Sequence, residues 1–227
     1  MAEALPLFPL GAVLFPGVVL PLHVFEARYR ALVQDLMTSA AQSGRPEFGV
    51  VAIRAGHEVG DGAAGGEGTL HAVGCIAVLR EVGELEDGRY SITSVGGARF
   101  RLRGIAASAG TPYLTGLVDR LEEADGVGAD VYAGAVARRF ADYRRRLGLE
   151  GPEPTQLAQA ASPRQLSYLV AASMVLAERE RQTLLECADA ATRLEAELAL
   201  LTQEIAMVDA LSCVPDVSLA REPFAPN

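Results

Sequence analysis

Short apolar runs broken by single prolines and glycines fill the first half of the chain, and a helical period takes over only later. Leu5–Leu10 (LPLFPL) and Val18–Val24 (VVLPLHV) read as extended segments. In the next stretch, FEARYRALVQDLM, residues Phe25, Tyr29, Leu32, Val33 and Leu36 recur at helical spacing while Arg28, Arg30 and Asp35 fall elsewhere. That pattern predicts an amphipathic helix. Phe48–Ile53 (FGVVAI) reads as a buried strand, and residues 55–72 form a glycine-rich loop. Two further strand-like runs flank Asp87-Gly88, a dipeptide that favours a two-residue type I′ hairpin. Gly96-Gly97 suggests a second bend before ARFRLRGI, where Phe100 and Leu102 alternate with Arg99, Arg101 and Arg103. Tyr113–Leu121 closes the half as one more strand, and six or seven short strands predict a small, mostly antiparallel barrel.

From Val127 the period becomes helical. Val131, Ala135, Phe140 and Tyr143 outline one helix that ends near Gly148, and Pro152 and Pro154 keep it from continuing. Ser162-Pro163 starts a second, with serine as N-cap and proline in the first turn. A third begins near Glu178, and Asp189 caps a fourth. In that last helix Leu194, Leu198, Leu201, Ile205 and Val208 step by four and three, the seam of a bundle about 30 Å long. The reading divides the chain into a β-rich unit over 1–123, a helical bundle over 124–212 and a proline-rich tail over 213–227.

Leu5 to Leu22 contains no charge, long enough to raise the question of a membrane span. Pro6, Pro9, Pro16 and Pro21 answer it. Each lacks a backbone donor, and four such losses are not sustainable in hydrocarbon. No basic segment precedes the stretch, as a secretory signal requires, so it is read as soluble core. Half the residues are hydrophobic, enough for a substantial core. The net charge of −9 is spread evenly, with ten arginines against fourteen acids in residues 1–123 and ten against fifteen in the rest. Neither half has the basic balance of a nucleic-acid module.

All twenty basic residues are arginine. Without lysine the chain has neither the phosphate-binding lysine of a P-loop nor the amine of a Schiff-base or Ser–Lys enzyme, and arginine does not lose its proton to replace it. Cys75, Cys187 and Cys213 are odd in number and widely spaced, which argues against a zinc site and fits a reducing cytoplasm. His57, Glu58, Asp61, Glu67 and His71 lie in the glycine loop without a recognised metal spacing and are read as solvated. His23 is read as a packed histidine beside Phe25. No GxSxG elbow marks a nucleophile. The arginines of 99–103 and the group Arg138, Arg139, Arg144, Arg145 and Arg146 are read as solvated or ion-paired faces.

The fixed spacings of LPLFPLGAVLFPGVVLPLHVFEARYRALV, through Pro6–Leu10, Val13–Gly17 and Leu20–Val33, strongly resemble the start of the Lon-protease N-terminal, or LON substrate-binding, domain. VGCIAVLREVGELEDGRYSITSVGGARFRL is similar to that family's hairpin region, and QTLLECADAATRLEAELALLTQEI to its leucine-rich helices. Gly11-Ala12, His23 and the glycine-rich insertion depart from the family pattern. The resemblance implies an α+β fold, a PUA-like pseudobarrel followed by a helical bundle. It implies a non-catalytic, stand-alone recognition module without the ATPase and Ser–Lys peptidase of full Lon proteases, needing no cofactor or metal. Its expected partners are unfolded or exposed polypeptide segments, with a separate protease or chaperone as collaborator. Candidate peptide-binding residues are Phe15 and Pro16 at a turn, and Leu22, Phe25 and Tyr29 between barrel and first helix. The alternative is an RNA-binding PUA-like protein using Arg99, Arg101 and Arg103.

Overall fold

A single long strand organises the sheet. In the computed structural model, which describes residues 2–43, 46–54, 69–106, 110–149 and 162–212, β5 (Tyr90–Ile105) borders three other strands. Its first half pairs with β2 (Val19–Val24), its second half with β6 (Thr115–Arg120), and β4 (Val73–Glu84) runs along its other edge. β3 (Glu47–Ala52) and β1 (Glu3–Leu10) continue the order β2-β5-β4-β3-β1-β6, and β6 returns to β5 to close a barrel. Among the described strands β1 and β3 run parallel and the other pairs are antiparallel. The protein is α+β, with a mostly antiparallel pseudobarrel and a helical bundle.

The prolines fall where the ladder tolerates them. β1 pairs with β6 over Glu3–Pro6 and with β3 over Leu7–Leu10, so Pro6 marks the change of partner. Pro21 sits on β2, which has β5 on one side and no strand on the other among the described residues.

Two turn expectations need correction. Asp87-Gly88 is not a two-residue hairpin loop. The Gly88 amide donates to the Leu85 carbonyl (2.9 Å), the Leu85 amide to the Arg89 carbonyl (2.9 Å), and Gly88 takes φ +73°. The turn is therefore centred on Glu86-Asp87, with glycine following in the left-handed region as a bulge. At Gly96-Gly97 the chain makes no turn between strands: β5 continues as one strand, with a bulge where its register facing β4 shifts between Gly96 and Arg99. Gly96 is there because a Cβ would stand 2.1 Å from the Phe15 carbonyl oxygen. Its amide donates to Val18 (2.9 Å) and its carbonyl accepts from Gly17 (2.8 Å).

Helix α1 (Ala27–Ser43) lays Tyr29, Leu32, Val33 and Leu36 on the barrel, and Tyr29 stacks on Phe8 with centroids 4.0 Å apart. It starts two residues later than the apolar period suggests, leaving Phe25 54% exposed. The second unit consists of α2 (Ala129–Arg146), α3 (Pro163–Ser173), α4 (Glu178–Glu186) and α5 (Ala190–Ser212). Val136, Ala137, Phe140 and Tyr143 form the inner face of α2, whereas Val131, expected on it, is 77% exposed. Leu194, Leu198, Leu201 and Ile205 pack within the bundle, so the seam is intramolecular. Ser162 caps α3 and Asp189 accepts from the Thr192 amide (2.8 Å), as expected.

Candidate functional site

Two clefts flank β2, one at each end. At its C-terminal end Leu22, Val24, Phe25 and Tyr29 meet Phe8, Pro9 and Leu10 around a cavity of about 160 Å³. Phe25 stands at its lip because the chain leaves β2 and enters α1 there, and Arg28 lies over the Tyr29 ring (4.7 Å) while pairing with Glu26 (2.7 Å). Three candidates named from the sequence, Leu22, Phe25 and Tyr29, thus converge on one apolar hollow beside a strand edge that no described strand pairs with. His23 is exposed at the same place rather than packed.

Pro16 lies at the opposite end of β2, in a cleft of about 430 Å³ with Gly17, Val18, Gly97, Ala98, Glu123 and the α3 residues Arg164, Gln165, Tyr168 and Leu169. Phe15 enters neither cleft. It is 1% exposed, packed with Val73, Tyr168, Ala171, Leu184 and Leu185 where barrel and bundle meet.

That junction is unusually polar. Arg99, 1% exposed, donates to both oxygens of Glu123 (2.8 and 3.4 Å) and to the Leu185 carbonyl (2.7 Å). Its remaining contacts are with the carbonyls of Cys187 and Ala188. Tyr168 donates its hydroxyl to Glu123 (2.7 Å), and burial together with that carboxylate pushes its phenol pKa up. The Arg193 guanidinium lies 4.0 Å over the Tyr168 ring and donates to Ser167 (2.9 Å) and to the Leu184 carbonyl (2.9 Å). The expected arginine face therefore does not exist as a unit. Arg99 is an internal fastener, Arg103 pairs with Asp119 (2.6 Å), and Arg101, exposed, has no ion pair among the described residues.

One helical turn beyond Arg193, Glu197 is fully buried, and neither carboxyl oxygen has a hydrogen-bond partner among the described residues. Burial pushes its pKa well above the usual carboxylate range, against the pull of Arg193. The folded state thus binds more protons at this carboxyl than the unfolded chain does. Its stabilising contribution is complete below the unfolded carboxylate pKa, about 4.3, and is lost as pH rises through the folded value. Urea unfolding should give an unfolding free energy that falls from pH 5 to pH 8, by at most about 1.4 kcal/mol per pH unit from this group, and Glu197→Gln should flatten that slope. Identical slopes for the two proteins would contradict a neutral Glu197.

Burial also pushes up the thiol pKa values of Cys75 and Cys187, the opposite of what a nucleophilic thiolate requires. No group of three metal-ligating side chains occurs among the described residues; His57, Glu58, Asp61, Glu67 and Cys213 lie outside them. His71 faces Glu186 at 3.6 Å. No described helix is long and apolar enough to cross a membrane. Sequence reasoning missed Glu123, which follows β6, and Arg164 and Tyr168, one turn apart on α3, because only the packing of barrel against bundle brings the two segments together.

A mixed barrel with a prolyl first strand, followed by a helical unit with four described helices, matches a known architecture. Residues 4–203 match the family described as the ATP-dependent protease La (LON) substrate-binding domain. The chain belongs to the LON substrate-binding domain family. Relatives of this LON domain include Lon protease 2 of Myxococcus xanthus, 31% identical over 89% of the chain, and the Lon protease of Anaeromyxobacter dehalogenans, 30% identical over 88%. The chain spans 24% and 23% of their respective lengths. Among solved structures, a Lon N-terminal domain protein from Xanthomonas campestris is 26% identical with a TM-score of 0.57, covering 87% of this chain and 98% of that one. The N-terminal domain of a Mycobacterium avium complex Lon protease has a TM-score of 0.66 at 18% identity, covering 88% and 98%, and shares the fold. What the match covers is the substrate-binding domain, not an ATPase or peptidase domain.

Proposed function

We propose that this LON domain is a non-catalytic polypeptide-recognition module that holds unfolded or exposed segments, serving as an adaptor to a separate protease or chaperone. The observation that carries this reading is β2, an outer strand with no strand on its second edge among the described residues, that ends in an apolar cleft. An extended client adds to that edge through backbone hydrogen bonds, which are indifferent to sequence, and drops one apolar side chain between Leu22, Phe25 and Tyr29. Burying a side chain of leucine or phenylalanine size contributes roughly 1.5–3 kcal/mol. A single such anchor gives weak, reversible contact, which suits a protein that must release what it holds.

Fluorescence anisotropy with a labelled, reduced and permanently unfolded protein tests the reading. Wild type should bind at micromolar concentrations. Phe25→Ser should weaken binding about tenfold while costing no more than about 1.5 kcal/mol of stability, since half of this residue is already in water. Phe15→Ser is unsuitable as a probe, because Phe15 belongs to the core. Absence of wild-type binding at high micromolar concentration would contradict the proposal.

A further inference from the structure

The larger cleft is built where the ladder of β5 breaks. Pairing with β2 ends at Val19–Val95, pairing with β6 begins at Phe100–Arg120, and the register facing β4 jumps from Cys75–Arg99 to Ala77–Gly96. Gly97 and Ala98 fall in the bulge between the two registers and line the cleft wall, the Gly97 carbonyl accepting from the Cys75 thiol (3.6 Å). Pro16, Val18 and Leu169 make the apolar part of the lining.

The charges are unevenly matched. Glu123 is the cleft's one carboxylate, and both its oxygens are engaged, by Arg99 and by the Tyr168 hydroxyl. Arg164, half-buried on the opposite wall, donates one N–H to the Glu123 backbone carbonyl (3.0 Å) and pairs with no carboxylate among the described residues. A guanidinium held by one hydrogen bond presents its remaining N–H groups to an incoming carboxylate.

We infer that this cleft binds the C-terminal residue of a polypeptide, its α-carboxylate on Arg164 and its apolar side chain against Pro16, Val18 and Leu169. The cleft offers a cation and an apolar wall at once, and a C-terminal apolar residue carries the complement of both within a few bonds. An internal aspartate or glutamate does not, because its carboxylate takes the place of the apolar side chain. The volume, about 430 Å³, is in the range of small-ligand pockets. Capture of a chain terminus at such a place is a recurring recognition mode. The site is distinct from the hollow at Phe25 and does not depend on it.

The test uses a fluorescein-labelled Gly-Ala-Gly-Ala-Leu peptide as free acid, as C-terminal amide, and as an amide with an internal aspartate. The free acid should bind roughly tenfold more tightly than either amide. Arg164→Gln should erase that preference, Arg164→Lys should keep part of it, and Phe25→Ser should leave it unchanged. The comparison of acid with amide on the wild-type protein needs no variant to fold. Equal binding of acid and amide, an internal aspartate as effective as the free acid, a preference that survives Arg164→Gln or vanishes in Phe25→Ser, or no binding of the acid at about 1 mM would each overturn the inference.

Discussion

Arg99→Leu should destabilise the protein by about 3–5 kcal/mol and lower its thermal midpoint by roughly 10 °C. The guanidinium neutralises Glu123 and satisfies carbonyls at the end of α4 and in the turn that follows, so its loss leaves a half-screened carboxylate and several carbonyls without partners. A buried pair broken on one side costs far more than the pair contributes when whole. Arg99→Leu combined with Glu123→Leu should therefore recover part of the loss. Arg103→Ala removes only an exposed pair with Asp119 and should change stability by less than about 1 kcal/mol. Thermal and urea unfolding of the three variants check the argument. A mild effect of Arg99→Leu would mean that barrel and bundle are not fastened through this residue.

Gly96→Ala should be nearly as damaging, costing about 3 kcal/mol. The added methyl would meet the Phe15 carbonyl oxygen at 2.1 Å, and backbone does not yield as a flexible side chain does. Relief requires the Phe15–Val18 segment to lift, which breaks the bonds from Gly17 to Gly96 and from Gly96 to Val18 and draws Phe15 out of the junction. Gly104→Ala on the same strand is the control. Its Cβ would meet nothing within 4 Å, and it should be almost neutral. Urea unfolding together with amide exchange at Gly17 and Gly96 separates the two cases. Equal behaviour of the two variants would contradict the close-approach account.

Much of this architecture is legible in the sequence, for identifiable reasons. Leu32, Val33 and Leu36 reveal α1 because one helix face covers one sheet, and the Leu194–Ile205 seam reveals α5 likewise. Ser162 and Asp189 announce helix starts because capping is local chemistry. Three of the five candidate site residues gather at one cleft because the β2–α1 connection that holds them is contiguous. Illegible features depend on distant contacts. Arg99 looks like Arg101 and Arg103 until α4 and the α4–α5 turn supply carbonyls more than eighty residues away. Gly96-Gly97 reads as a turn between strands, whereas it sits at a bulge within one strand, and Gly96 is fixed by the close approach of Phe15, a contact about eighty residues away in the chain. The buried Glu197 belongs to a helix face that only the packed bundle defines as interior.

Hydrogen–deuterium exchange of the domain with and without a saturating unfolded polypeptide tests the central claim most directly, because strand addition protects backbone amides while surface stickiness does not. The account predicts slowed exchange concentrated in Val19–Phe25, with the outward faces of α2 and α5 unchanged. Protection absent from β2, or spread evenly over the helical bundle, would contradict it.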